Sequence, residues 1–200
     1  MKNNSEFLQK KELMKLGFFS VGKDVKISRK ISVYKAKGKI GDRVRIDDDV
    51  TIKGKISFGQ NVHIARGCTI SGGNNGVYFD DFSAVSNFVQ FFTKSDDYFS
   101  PSIPAATLNK NLIRKYSRVH SKKIVIGKAV LIGAMSTILP GANIMDFASV
   151  GAYSVVYKKI EKGTYYCNHN KIIKKKRNLI EMQKKFLQLK NLLNKNSIKK

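Results

Sequence analysis

Three histidines stand in this chain of 200 residues, His63, His120 and His169. With the adjacent acids Asp96 and Asp97 they are its candidates for moving a proton. His63 immediately precedes Ile64, one of a series of aliphatics spaced six residues apart, so it projects outward from the element that buries that series. A rigid element is a good mount for a base; the plainer reading is an exposed turn histidine with no role. His120 ends a long irregular stretch and reads as structural or peripheral. Asp96 and Asp97 lie within Ser95, Asp96, Asp97 and Tyr98. Adjacent residues of an extended segment do not share a face. One acid can therefore face a site, to recognise a hydroxyl or ammonium group or to orient His63, while the other orients the loop, or the two can simply form a turn. Asp47, Asp48 and Asp49 are a weaker signal, because outward acids on a basic chain also balance charge. Cys68 and Cys167 give neither a disulfide framework nor a metal site, so no metal and a reducing compartment are expected.

The element that carries His63 is legible in its spacing. Over residues 126–156, Ile126, Ile132, Ile138, Ile144, Val150 and Val156 recur every six, with Val130, Ser136, Ala142, Ala148 and Ser154 four residues after the first five. Neither the helical nor the strand period gives a strict six; such a repeat marks a parallel β-helix. The same register runs through Val21, Ile27, Val33, Ile40, Ile46, Ile52, Phe58, Ile64 and Ile70, then Phe79, Val85 and Phe91 after a Gly-Asn corner bulge or loop at 72–76. Three hexads make a coil of about eighteen residues that buries its interior only by stacking on its neighbours. Cys68 falls at a filler position, so burial is expected rather than thiol chemistry.

Residues 92–123 interrupt the register. A loop of that length on a rigid scaffold usually carries function. Residues 5–16 read as a helix with Ser5 as N-cap and Gly17 as stop, capping the first coil. After Val156 the register fades; 157–170 read as irregular and 171–200 as a basic helix. The division expected is a capping helix over 1–17, a β-helix domain over 18–160 with a protruding loop at 92–123, and a basic, mainly helical tail over 161–200.

A formal charge of +24 points to an anionic partner. Zinc-finger, homeodomain and RNA-recognition patterns are missing, which argues against nucleic acid. The N-terminus carries no apolar signal region and no stretch approaches transmembrane length, so a cytoplasmic location is expected. The tail can lie on an anionic membrane or pack on the β-helix with its lysines solvated; the second is favoured as far as Phe186.

The segment VHIA at 62–65, KSDDY at 94–98, and VLIGAMSTILPGANI followed by VGAYSVV now stand together. With the opening LGFFSVGKDVKIS at 16–28 and VRIDD at 44–48, they resemble the hexapeptide-repeat acyltransferases of the maltose and galactoside O-acetyltransferase type. The resemblance is to the branch that modifies sugars of bacterial surface polysaccharides, including N-acyltransferases of nucleotide-linked 4-amino-4,6-dideoxy sugars. It covers most of 16–156. It implies a left-handed, all-β parallel β-helix, a homotrimer, acetyl-CoA as co-substrate, and active sites between neighbouring β-helices under the protruding loop.

Carried onto this chain, the resemblance makes His63 the candidate base and gives Ser95, Asp96, Asp97 and Tyr98 to the sugar or nucleotide-sugar acceptor. Gly133, Ala134, Gly151 and Ala152 let pantetheine approach backbone closely, although tight coil stacking also wants small residues there. Lys171 and Lys174, with Lys175, Lys176 and Arg177, face the CoA phosphates. Two departures stand out. The loop offers Lys94, Ser95 and Asp96 where many maltose-type relatives carry a histidine, and the usual ending is altered over 166–174, where His169 would be solvent-exposed or near CoA. The function expected is transfer of an acetyl group from acetyl-CoA to an amino or hydroxyl group of a sugar; the two departures speak for the alternative, a non-catalytic trimeric β-helix scaffold with a degenerate CoA site.

Overall fold

The computed structural model describes residues 6–103, 106–168 and 173–198. Mostly parallel strands wind into a β-solenoid of about eight turns. The stacked coils present three faces. Face A carries, in order, Lys26–Ile27, Arg45–Ile46, His63–Ile64, Ala84–Val85, Leu131–Ile132, Ser149–Val150 and Thr164–Cys167. In the upper coils, face B carries Gln90–Phe92, Thr137–Ile138 and Val155–Val156, and face C carries Ile124–Ile126, Asn143–Ile144 and Lys159–Ile160. In the lower coils the two faces are joined. Ser32–Ile40, Thr51–Phe58 and Thr69–Phe79 each run through the B–C corner as one strand, with register shifts at the bend. The glycine-rich stretch at 72–76 lies within the last of these strands as a corner bulge: Gly73 pairs with Gly54, and the register shifts before Val77 pairs with Ile56.

The six-residue period works because each inward aliphatic stacks on its equivalent one coil away. Ile46 pairs with Ile27 and Ile64, and Ile132 with Val85 and Val150. All are buried, as are the fillers Val44, Val62, Cys68, Val130, Ser136 and Ala148. Each buried aliphatic contributes roughly 1.5–3 kcal/mol relative to exposure. Corners turn through one residue of left-handed φ per coil: Asp49, Phe88, Met135 and Tyr153 occupy one such column between faces A and B. That conformation disfavours side chains with a Cβ. It is held because each of these four N–H groups donates to a carbonyl of the coil below, those of Lys30, Arg66, Asn87 and Ala134.

Three expectations at the ends and the insertion change. The first helix, α1, is Lys10–Lys15, and its N-cap is Gln9; Ser5 lies outside the described residues. The chain before α1 is extended, because the Leu8 N–H donates to Ile27 O and Phe7 bridges Ser28 on the first coil. Inside the insertion, Lys94–Asp96 pairs antiparallel with Val119–Ser121, and α2, Lys110–Tyr116, lies between them. The β-structure also passes residue 160. Ile160 and Tyr166 are buried continuations of the inward series, and Thr164–Cys167 pairs antiparallel with Ile173–Lys176 before α3, Leu179–Ile198. The tail therefore begins as a strand. Tyr hides the hexad there, because a phenol at an inward position does not read as core. Phe186 of α3 meets Phe82 and Phe147 with ring centroids 5.1 and 5.6 Å apart, and Arg177 Nη1 donates to Phe147 O at 2.7 Å.

Candidate active site

Face A stacks its outward residues in columns. One column runs Asp47, Ala65, Ser86, Gly133, Gly151 and Cys167, each following an inward residue of successive coils, joined by the ladder bonds of Asp47, Ala65, Ser86, Gly133 and Gly151 N–H. Four small residues in succession make a low stripe, the groove, on this face. The glycines are also required by the stacking, since a Cβ on Gly133 falls 2.4 Å from Ala152 N and one on Gly151 meets Cys167 Cβ at 3.0 Å.

His63 stands beside the foot of this groove. Its Nε2 lies 2.9 Å from Asp47 Oδ2, while Arg45 Nε donates to Asp47 Oδ1 at 2.7 Å. Partial burial alone pushes the Asp47 carboxyl up. The hydrogen bonds from His63 and Arg45 together outweigh it and hold the group below the ordinary aspartate range. Asp47 is thus ionised and can only accept, so His63 Nε2 must carry the hydrogen and the neutral ring has its lone pair on Nδ1. This is the oriented imidazole a general base requires. Cys68, behind the same face, is inert by contrast, its thiol pushed up to about 11 by burial.

The protruding hairpin stands elsewhere. It leaves the solenoid at the B–C corner, so Ser95, Asp96, Asp97 and Tyr98 are not assembled with the His63 groove within one chain. His63 takes its carboxylate from Asp47, not from the Asp96-Asp97 pair. That pair divides its work. Asp97 accepts from the N–H groups of Phe99 and Ser100 and sits 3.6 Å from His120 Nε2, which fixes the turn. The two backbone bonds hold its carboxyl below the ordinary range. Asp96 and Ser95 instead line a cavity of about 380 Å³ with Tyr98, His120 and Tyr157. Tyr98 and Phe99 are 85% and 101% exposed, so the hairpin tip presents apolar surface to solvent.

Gly133 and Ala134, and Gly151 and Ala152, sit at the A–B corner of the upper coils, on the same side as His63. Lys171 and His169 lie outside the described residues. Lys174 falls in the strand Ile173–Lys176, opposite Tyr166. Two participants carry little signal in the sequence. Asp47 is one coil below His63 and two residues ahead in register, a relation a strict coil length reveals once His63 is placed. Ser86 follows an inward valine like any corner residue and becomes visible only as a member of the groove.

No protein-family model matches the chain. Over 79% of its length the chain is 35% identical to a dTDP-4-amino-4,6-dideoxy-D-glucose acyltransferase of Escherichia coli, covering 82% of that protein. The chain belongs to the hexapeptide-repeat sugar acyltransferases. Within the family it is also similar to AntD, an N-acyltransferase of Bacillus cereus. The structure of AntD with dTDP and 3-hydroxybutyryl-CoA superposes with a TM-score of 0.78 at 31% identity, covering 94% of this chain and 99% of AntD. A variant of AntD bound to dTDP-4-amino-4,6-dideoxyglucose and coenzyme A superposes equally well, at 0.78 and 32% identity over 92% of this chain and 98% of that one. A maltose O-acetyltransferase of Clostridium difficile shares the fold, with a TM-score of 0.53 at 19% identity over 89% of this chain and 79% of its own. Among the described residues no cluster of side chains suited to a metal ion occurs, and no helix is long and apolar enough to cross a membrane.

Proposed function

We propose that this CoA-dependent acyltransferase moves an acetyl group from acetyl-CoA to the 4-amino group of a dTDP-linked 4-amino-4,6-dideoxyhexose, for use in a surface polysaccharide. The observation that carries the reading is His63 held by Asp47 at the foot of a small-residue groove. The Escherichia coli relative and AntD, with its bound dTDP-amino sugar, supply the acceptor class.

The sugar amine attacks the thioester carbonyl, and His63 Nδ1 takes the proton it sheds. The N–C bond forms, the C–S bond breaks, and the proton passes to the leaving CoA sulfur. A corner N–H of the groove stabilises the intermediate oxyanion. Asp47 keeps the ring oriented and balances the imidazolium. Pantetheine lies along Gly133, Ala134, Gly151 and Ala152. The CoA phosphates meet Lys171 and Lys174; Lys175 and Lys176, which line a cavity of about 280 Å³ with Thr164 and Tyr166, support that end. A cytoplasmic location goes with this reading, since that compartment suits acetyl-CoA and a sugar nucleotide as substrates. The basic tail supports a peripheral contact with the anionic inner face of the membrane.

The acceptor side is Ser95, Asp96, Asp97 and Tyr98 of a neighbouring subunit in a homotrimer. The exposed hairpin tip supports this, as do the exposed Leu131, Met135, Tyr153 and Val155 beside the groove, which need a covering surface. AntD variants of a serine and of an aspartate ten residues after it have been crystallised with its ligands. Here Ser86 in the groove and Asp96 on the hairpin have the same separation. Asp96 holds the amine and Ser86 lies on the path of the thioester.

The test is CoA release from acetyl-CoA, with 3-hydroxybutyryl-CoA in parallel, in the presence of dTDP-4-amino-4,6-dideoxyglucose. Turnover that His63→Ala abolishes in a folded protein is expected. No turnover with either donor, together with no coenzyme A binding, supports the non-catalytic scaffold.

A further inference from the structure

The three bent strands of the lower coils bring together a set of lysines that the site above does not use. Lys35 and Lys37 on Ser32–Ile40 lie beside Lys53 and Lys55 on Thr51–Phe58, and all four line one cavity of about 470 Å³ floored by Gly54 and Gly73. Lys37 and Lys55 are direct cross-strand partners. Like charges placed opposite each other destabilise a sheet. Nothing nearby relieves them. The three strands contain no Asp or Glu, and among the described residues none of the four lysines is in an ion pair. Lys55 Nζ rests 5.7 Å above the Tyr78 ring, a contact that leaves its charge in place.

The backbone is shaped for close approach. Lys35, Gly54 and Gly73 take left-handed φ of 51°, 80° and 49° in three successive coils, so the corner is indented. A side chain on Gly54 would strike Gly73 N at 2.6 Å, so the coils at this floor stack backbone against backbone. A concave pocket with four cations and no counter-charge fits a ligand with two adjacent phosphates better than a single carboxylate.

The basin adjoins the hairpin cavity. Ser71 lines a second cavity at the hairpin, of about 550 Å³, which also holds Asp96, and Gly73, two residues on in the same strand, lines the basin. Two extended residues would span at most about 6.6 Å, and the register shift at Gly73 shortens that, so the basin and the cavity are close neighbours. Thr93, at the root of the hairpin, donates its hydroxyl to Ser71 O at 2.9 Å and ties the two together.

We infer that this lysine basin binds the diphosphate of the nucleotide-linked sugar, with the sugar directed toward Asp96. The inference rests on the proposed function for the identity of the sugar, but its core is the binding of a nucleoside diphosphate. It also separates the two diphosphates of the reaction: the basin takes the acceptor's, and coenzyme A binds elsewhere.

Calorimetric titration of dTDP, inorganic pyrophosphate and coenzyme A tests it on three full-length proteins. These are the wild type, the Lys37→Gln/Lys55→Gln double variant, and a Lys10→Gln/Lys11→Gln control that removes the same charge from α1. The double variant relieves a cross-strand repulsion and is expected to fold at least as well. It is expected to bind dTDP and pyrophosphate more weakly by about tenfold or more, about 1.4 kcal/mol, with coenzyme A affinity unchanged; the control should match the wild type throughout. Unchanged dTDP affinity in the double variant overturns the inference even if amino-sugar acylation is vigorous. An equal loss of coenzyme A and dTDP affinity also overturns it, since the basin would then serve the donor. Lysine-dependent dTDP binding in a protein that acylates no amino sugar leaves the basin standing and removes the proposed function.

Discussion

Replacing Gly133 by alanine isolates the demand that coil stacking makes on the groove. The φ of Gly133 is one that alanine adopts, so any cost comes from space. Its new Cβ would sit 2.4 Å from Ala152 N, 2.8 Å from Ala152 Cα and 2.8 Å from the Gly151 carbonyl carbon, where ordinary contact begins at 3.4 Å. All three atoms are backbone of the next coil, so no side chain can swing away. Opening the gap by about 1 Å stretches the Gly133 N–H bond to Val150 O, now 2.8 Å, past hydrogen-bonding range. One lost backbone bond at about 1 kcal/mol plus overpacking of about 1–2 kcal/mol gives roughly 2–3 kcal/mol. For a chain of this length that is a fall in Tm of about 4–12 °C. Circular dichroism melts without coenzyme A, at matched protein concentration, measure it. A Tm equal to that of the wild type would refute the reasoning, because the coils would then have room and the glycine would serve only a ligand.

Asp47→Asn replaces the acceptor-only carboxylate that fixes the His63 tautomer with an amide that can also donate, and kcat should fall by about a hundredfold or more with the fold intact. The folded pKa of Asp47 is lowered from 3.8, so its stabilisation is complete above that pH and lost as pH falls through the folded value; the stability gap to Asp47→Asn should close toward acid, and a gap that widens there contradicts the assignment. Cys68, with its thiol near 11 and fully buried, should resist alkylation at pH 8 in the native protein and react on unfolding; rapid native labelling of Cys68, mapped by mass spectrometry, refutes this. Phe186→Ala should cost about 1–2 kcal/mol, less than a fully buried phenylalanine, by removing the ring contacts to Phe82 and Phe147; an unchanged Tm would mean α3 is not docked through that ring.

How much of the molecule is legible in its sequence follows from which interactions are periodic. The inward aliphatics repeat every six because each must meet its equivalent one coil away, so the spacing of Ile64, Ile132 and Val150 is enough to announce the fold. Placing Ile64 inward also places His63 outward. The partner of His63 is harder to find, since Asp47 is a neighbour only across the stacking direction and sits in a run of three acids that invites a charge-balance reading. The last coil escapes the pattern because Tyr166 fills an inward position with a phenol, and the strand Ile173–Lys176 because its charged residues suit a basic helix equally well. The lysine basin is invisible along the chain for the same reason as Ser86. Lys37 and Lys55 are one coil apart, and only the strand register makes them direct neighbours.

The central claim is that His63 and its groove on one subunit work with Asp96 on the hairpin of another. Mixing the inactive variants His63→Ala and Asp96→Ala, after co-refolding at equal concentration, tests it. A composite site then needs an intact groove from one variant and an intact hairpin from the other. Random assembly of a cyclic trimer gives that combination at about one site in four. The account predicts recovery to about a quarter of wild-type acyl transfer to dTDP-4-amino-4,6-dideoxyglucose. A mixture as inactive as either parent, in trimers shown to have exchanged subunits, contradicts it.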